Sequence, residues 1–321
     1  MAITNFPQGF KDGITLRGVP VIQTHPGKVF WVSNATTLQP GQRGGSDGNK
    51  GTFESPFGTL DYAIGQCTAS RGDIILIKPG HAETISTATA VAADVAGVAI
   101  IGLGSGSLRP TFTFDTATTA TIGVTAANIA FKNIIFTANF ADIVSVFTLT
   151  TAKYFTVEDC YIKATAANMN FLWVVDTDAT TANADGLALI NNKWIEPDLA
   201  TKSMVKLDGT NADVQMFGNY VNLGVLNNNA ALMTIANGKI VTSLDMRRNI
   251  VYRLNTDTAT GAILLHTDGS TLTGIVADNF AQHADTAAEL LITASAGLGT
   301  FNNYASGVAG ASGYLLPAAD S

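Results

Sequence analysis

SMVKLDGTNADVQMFGNYV, residues 203–221, sets the architecture. It reads as an apolar strand, a turn at Asp208–Gly209, a second strand in which Val214 and Met216 alternate with polar neighbours, and a corner at Asn219–Tyr220. Alternation with a period of two marks a half-buried strand rather than a helix. The same phrase recurs as VSVFTLTTAKYFTVEDCYI (144–162), FLWVVD to GLALINNKWI (171–195), ALMTIANGKIVTSLDMRRNIV (231–251), AILLHTDGSTLTGIVADNFA (262–281) and ELLITASAGLGTFNNYA (289–305), with an earlier half-copy NIAFKNIIF (128–136). The residues after the polar corner are Ile134, Tyr161, Trp194, Tyr220, Ile250, Phe280 and Tyr304. They recur about every 28 residues, inside the window where a repeated unit means a solenoid.

One copy is too small to bury its own apolar side, and stacking on its neighbours solves this. Successive coils should lie about 4.8 Å apart, the spacing of paired strands. Like side chains then form columns. Two are expected: an inward aromatic/Ile column through the marker residues, and an Asn column at a bend through Asn133, Asn219, Asn249, Asn279 and Asn303. Asn suits a bend because it tolerates left-handed backbone and bonds to nearby main chain. The extra residues DTDATTANADG (176–186) are expected to project from one coil as a loop.

Upstream, GDIILIKPG (72–80) and VAGVAIIGLGSG (95–106) extend the strand pattern. GLGSGS lacks the Lys-Ser/Thr ending of a phosphate loop, and no nucleotide site is expected. Thr59 can cap a short helix whose Leu60, Ala63, Ile64 and Cys67 share one face. Laid over the first coil, it would block end-to-end pairing. The expected division is an arm over 1–30; a first strand, Gly/Asn-rich loop and capping helix over 31–71; the β-helix over 72–310; and a tail over 311–321.

Composition narrows the functions. Charged residues make up 13% of the 321, and the formal net charge is −7, so a phosphate-neutralising nucleic-acid surface is not expected. MAITNFPQGFKDG carries no basic leader with an apolar run. No apolar stretch approaches the ~20 residues that span a bilayer. Cys67 and Cys160 suggest two buried thiols, not a disulfide framework or metal site.

GDIILIKPGHAETI, AIIGLGSGSLRP, the polar-corner coils and the opening GNKGTFESPFGTLDYAIGQC resemble the pectin-lyase-like right-handed parallel β-helix family. Together with THPGKVFWVSN, the combination is most similar to virion-associated β-helix proteins of tailed bacteriophages. The resemblance covers roughly residues 28–310. It implies an all-β, single-stranded right-handed parallel β-helix with a short N-terminal capping helix. It further implies a virion location after synthesis in the host cytoplasm, and partners that are other copies, commonly three, or the major capsid or other virion proteins. Membrane partners and cofactors are not implied.

The family's enzymes cleave polysaccharides with carboxylates from adjacent coils, but its hydrolase signature of paired Asp with His-Gly and Arg-x-Lys is missing. The best catalytic pair is Asp176 with Asp208, placed at the same point of neighbouring coils, with Asp178 nearby. Two carboxyls ~5–9.5 Å apart are what glycoside hydrolysis needs. His266 and Asp268, and the basic Arg247, Arg248 and Arg253, lie further along. Each Asp also closes a strand before a turn, where it serves local hydrogen bonding. The expectation is therefore a structural protein, a head decoration or cement protein. The alternative is a tail-associated polysaccharide-binding or depolymerase protein using Asp176 and Asp208, with Trp173 and Trp194 as aromatic contacts.

Overall fold

In the computed structural model, residues 14–16, 19–22, 27–36, 38, 41–88, 90–196, 202–223, 230–254, 262–266, 271–283, 297–306 and 314–315 are described. Almost all regular structure is parallel β. Among the described residues, all but one antiparallel pair of strands fall into three sheets of eleven, ten and seven strands, each built from every third strand or so of the chain. One coil illustrates the path: Thr156–Glu158 in the first sheet, Tyr161–Ala164 in the second, Phe171–Thr177 in the third, then Ala188–Ile190 back in the first, one rung on. The architecture is the all-β, single-stranded parallel β-helix expected from the repeat.

The unit holds three strands where the sequence phrase suggests two. The marker residue opens the third, a four-residue run such as Tyr220–Leu223. Its register corrects the expected aromatic column. Ile135, Tyr161, Lys193, Tyr220, Ile250, Phe280 and Tyr304 are successive partners. Tyr161, Tyr220, Ile250, Phe280 and Tyr304 therefore do lie above one another, but on the outer face, with Ile250 and Tyr304 exposed. Trp194 is one residue out of step and fully buried, in the inward column of Phe136, Ile162, Val221 and Val251. Ile134 is buried at the corner instead. The physical reason is the corner: its Asn points inward, so the next residue must point outward. Apart from Trp194, the core aromatics are phenylalanines, among them Phe112, Phe131, Phe136, Phe147 and Phe155, in largely edge-to-face contact across coils.

The Asn column begins at Asn192, not Asn133. Asn192, Asn219, Asn249, Asn279 and Asn303 are buried one above another. Each side-chain Nδ2 of the first four donates to the next Asn Oδ1 at 2.9–3.1 Å. It also donates to a first-sheet carbonyl of the preceding coil, as from Asn219 to Leu189 at 2.9 Å. Asn133 sits one position earlier, at the left-handed corner shared with Asp159, Asn191, Gly218, Arg248, Asp278 and Asn302, and bonds to the Gly102 and Gly104 carbonyls. Only Gly218 in this row lacks a Cβ, and one placed there would meet Asn191 Oδ1 at 2.4 Å. Arg248 is a long side chain at φ 57°, which costs roughly 1 kcal/mol against residues at home there. Arg248→Asn is accordingly expected to raise stability by about 0.5–1 kcal/mol in denaturant unfolding; a loss would show that its position over the Phe217 ring outweighs the strain.

At the N-terminal end, Val29–Val32 is the first rung of the first sheet. The helix Leu60–Gly65 buries Leu60, Ala63 and Ile64 against it and the strand Val91–Ala93. Thr59 caps it, and its free N–H groups are taken up: Asp47 Oδ1 accepts from Gly58 and Thr59, and Glu83 Oε2 from Leu60. His81 is buried beside Glu83, its Nδ1 accepting from Asn34 N at 3.1 Å and its Nε2 3.0 Å from Glu83. It is a latch for the first coil. Within the arm, Ile14–Leu16 and Val19–Ile22 form an antiparallel pair. From the tail, Tyr314–Leu315 closes the second sheet by pairing antiparallel with Tyr304–Ser306.

Candidate functional site

The outer face of the third sheet collects the polar side chains with chemistry to offer. Asp176 stands in Phe171–Thr177, whose rung partners are Ile143–Leu149 and Ser203–Leu207. Register differs from the sequence expectation by two residues, because Asp176 lies beside Lys206, not Asp208. The Lys-x-Asp alternation puts Lys206 and Asp208 on one face, a signal present in the sequence that the comparison of Asp with Asp passed over. Lys206 Nζ is 2.6 Å from Asp208 Oδ2 and 3.2 Å from Asp176 Oδ1. The Asp176 contact is an ion pair off hydrogen-bond geometry, since that Oδ1 is buried without a hydrogen bond.

Trp173, 6% exposed, lies three residues before Asp176, under the ammonium groups of Lys202 and Lys206 at 5.5 and 5.6 Å. One coil earlier, Thr121, Ser145 and Thr148 hydroxyls form a triangle with sides of 3.0–3.2 Å; Ser203 and Thr234 hydroxyls pair at 2.8 Å on the other side. Burial pushes the Asp176 carboxyl above the usual carboxylate range, although Lys206 pulls the other way. Burial disfavours the Lys206 charge, but Asp208 and Asp176 outweigh it and hold the ammonium above its ordinary range. Each carboxylate is thus tied to one cation.

The sign of the Asp176 shift makes a prediction. A carboxyl raised in the folded state binds its proton more tightly there than in the unfolded chain. Its stabilising contribution is complete below the unfolded pKa and is lost as pH rises through the folded one. Lys206→Met keeps the stem over Trp173 and removes the cation. The variant should lose about 1–2 kcal/mol at neutral pH and recover part of it on acidification, read from urea midpoints across a pH series. A variant equally stable at every pH would show that the ion pairs carry nothing.

Other sequence candidates fall elsewhere. Asp178 holds a turn, accepting from Thr180 N and Asn183 Nδ2, both at 2.8 Å. The 176–186 segment lies against the stack rather than projecting: Asn183 and Ala184 are buried, while Ala182 and Gly186 N–H groups bond to Thr210 and Ala212 of the next coil. Arg247 is held by Asp245 on the first sheet, and Arg248 is exposed at the corner. The side chains of His266 and Arg253, and all of Asp268, lie outside the described residues. Burial raises both thiols to about 12, Cys67 also through Asp73, so neither is a ready nucleophile. Among the described residues no three His, Cys, Asp or Glu side chains cluster as metal ligands, and no helix is long and apolar enough to cross a membrane.

No protein-family model matches the chain, and no curated protein matches it. Solved structures of similar shape include a rhamnogalacturonan lyase, at 11% identity and TM-score 0.43 over 86% of this chain and 87% of the other. Pectate lyase Pel9A is similar at 14% identity and TM-score 0.49, over 92% and 82%. ORF18 of Geobacillus virus E2 follows at 11% and 0.37, over 77% and 57%. At these identities no activity carries over. The three-sheet coil carries the assignment. The fold is a parallel β-helix of three sheets. Within it, the candidate carboxylates occupy the outer face of one sheet, and this fold hosts catalytic and purely structural proteins alike.

Proposed function

We propose that this chain is a non-enzymatic structural protein of a tailed-bacteriophage virion, made in the host cytoplasm and acting as a head decoration or cement protein. The observation that carries the non-enzymatic reading is Lys206. One ammonium engages both Asp176 and Asp208, so neither is the free acid or base that a glycosidic bond would need. The virion reading rests on the sequence resemblance. The chain's partners would be further copies, three around an axis in this proposal, and the major capsid protein or another virion protein. Cryo-electron microscopy of the native particle tests it: density for this chain is expected on the head shell, and density confined to the tail would contradict the assignment.

The second reading, a tail-associated glycan-binding or depolymerase protein, is favoured by one feature: the raised Asp176 carboxyl beside Trp173 and a row of hydroxyls. It makes a separate prediction. On the structural reading, purified protein leaves host polysaccharide viscosity unchanged, as does the D176N/D208N double variant. Viscosity that falls with the parent protein and not with the double variant would establish the enzyme.

A further inference from the structure

The outer face of the first sheet is long and largely apolar. Two rows of side chains point outward along it, on either side of the fully buried row containing Ile75, Phe131 and Val157. One row runs from Val29 through Ala99, Ala130, Thr156 and Ala188 to Ile275. The other runs from Trp31 through Ile101, Ile190 and Phe217 to Phe301. Val29, Ile275 and Phe301 are exposed at its two ends. Most of its charges are paired on the spot: Lys132 with Glu158 at 2.7 Å, reaching Asp159 at 3.7 Å, and Arg247 with Asp245 through two contacts, while Arg248 stands at the corner over the Phe217 ring.

We infer that this strip is the surface through which copies of the chain pack against one another. The inference deepens the homo-oligomeric part of the proposed function and rests on it. Copies carrying a net charge of −7 repel, and they approach at least cost where apolar side chains dominate and most cations already have their carboxylates. The second sheet is the competing face, with Tyr161, Tyr220, Ile250 and Tyr304 in a row. There, however, Arg109, Lys163 and Lys193 stand 5.4–5.9 Å over tyrosine rings, and no ion pair engages them among the described residues. Apposing two such faces would strip water from like charges.

Size sets the strength. Ten strands lie along the path of the first sheet, which at ~4.8 Å per rung makes the strip about 43 Å long. Two rows of side chains give it roughly 500 Å² per copy, below the ~800 Å² per partner of a standard interface. Association should therefore be concentration-dependent in solution and reinforced when many copies sit side by side on one particle.

The test is sedimentation velocity of the full chain over a dilution series, with Ala130→Glu, Thr156→Glu and, as a control on the second sheet, Tyr220→Glu. Circular dichroism and melting temperature establish that each variant is folded; two strip variants are used so that one misfolding does not remove the test. The expected result is reversible self-association of the parent, shifted at least tenfold toward monomer by either strip variant and unchanged by the control. A parent that stays monomeric at every concentration would overturn the inference together with the homo-oligomer reading. An oligomer that survives both strip variants, or dissociates with Tyr220→Glu, would overturn the choice of face and leave the oligomer standing.

Discussion

Asn219→Leu is expected to cost about 3–5 kcal/mol of unfolding free energy, among the largest effects of any single change outside the aromatic core. The Asn219 side chain makes four hydrogen bonds. Its Oδ1 accepts from the Asn192 backbone N at 3.0 Å and Asn192 Nδ2 at 3.1 Å; its Nδ2 donates to the Leu189 carbonyl and Asn249 Oδ1. All lie in a buried column. Leucine fills a similar volume, so no large cavity forms, but it leaves an amide and a carbonyl buried without partners at ~1–3 kcal/mol each. Asn219→Asp should be worse at neutral pH. It keeps the acceptor but turns a negative oxygen toward two other acceptors. Unlike the leucine variant, it should regain stability on acidification, because a buried unpaired carboxyl binds its proton more tightly when folded. Denaturant melts of the two variants over pH separate these behaviours; parallel pH profiles would contradict the assigned bonding.

Asp73→Ala is expected to be comparably severe, at about 3–5 kcal/mol. Asp73 is fully buried where the helix returns to the stack. It accepts from the backbone N of Lys28 at 2.6 Å and of Thr68 at 2.7 Å, and in two-point contact from Arg71 at 2.7 and 2.6 Å. Burial alone would raise its carboxyl, but Arg71 and the two amides prevail and hold it below the usual range. A depressed folded value contributes stability that is present above the unfolded value, near 3.9, and lost as pH falls through the folded one. Removing the side chain strands two backbone amides, and should also flatten the acid limb of the stability profile. An acid limb unchanged in Asp73→Ala would mean that other carboxylates govern acid unfolding.

Much of the coil was legible because its signals are local. Period-two alternation, the Gly and Asp turns and the recurring Asn do not depend on distant contacts, and the capping helix at Thr59 follows from four spaced apolar residues. What escaped was register. Asn133 and Asn219 look alike in sequence, yet one occupies the left-handed corner and the other the buried rung beside it, a difference of one residue that reverses inside and outside. For the same reason Trp194 joined an aromatic column in the sequence whose other members, Ile134 apart, face outward. The candidate site was half legible: Asp176 and Asp208 do meet one another's surroundings, but through Lys206, whose role appears only when the two strands are aligned by backbone pairing. The Asp73 and His81–Glu83 latches were not legible, because their partners lie up to 47 residues away in sequence.

Neighbouring coils are coupled through the Asn column, and a double-mutant cycle measures that coupling directly. Asn219→Ala and Asn249→Ala, alone and together, should give unfolding free energies that fall short of additivity by about 1–2 kcal/mol, while Asn192→Ala with Asn303→Ala, four coils apart, should add within ~0.5 kcal/mol. Strict additivity for the adjacent pair would contradict a hydrogen-bonded column running from coil to coil.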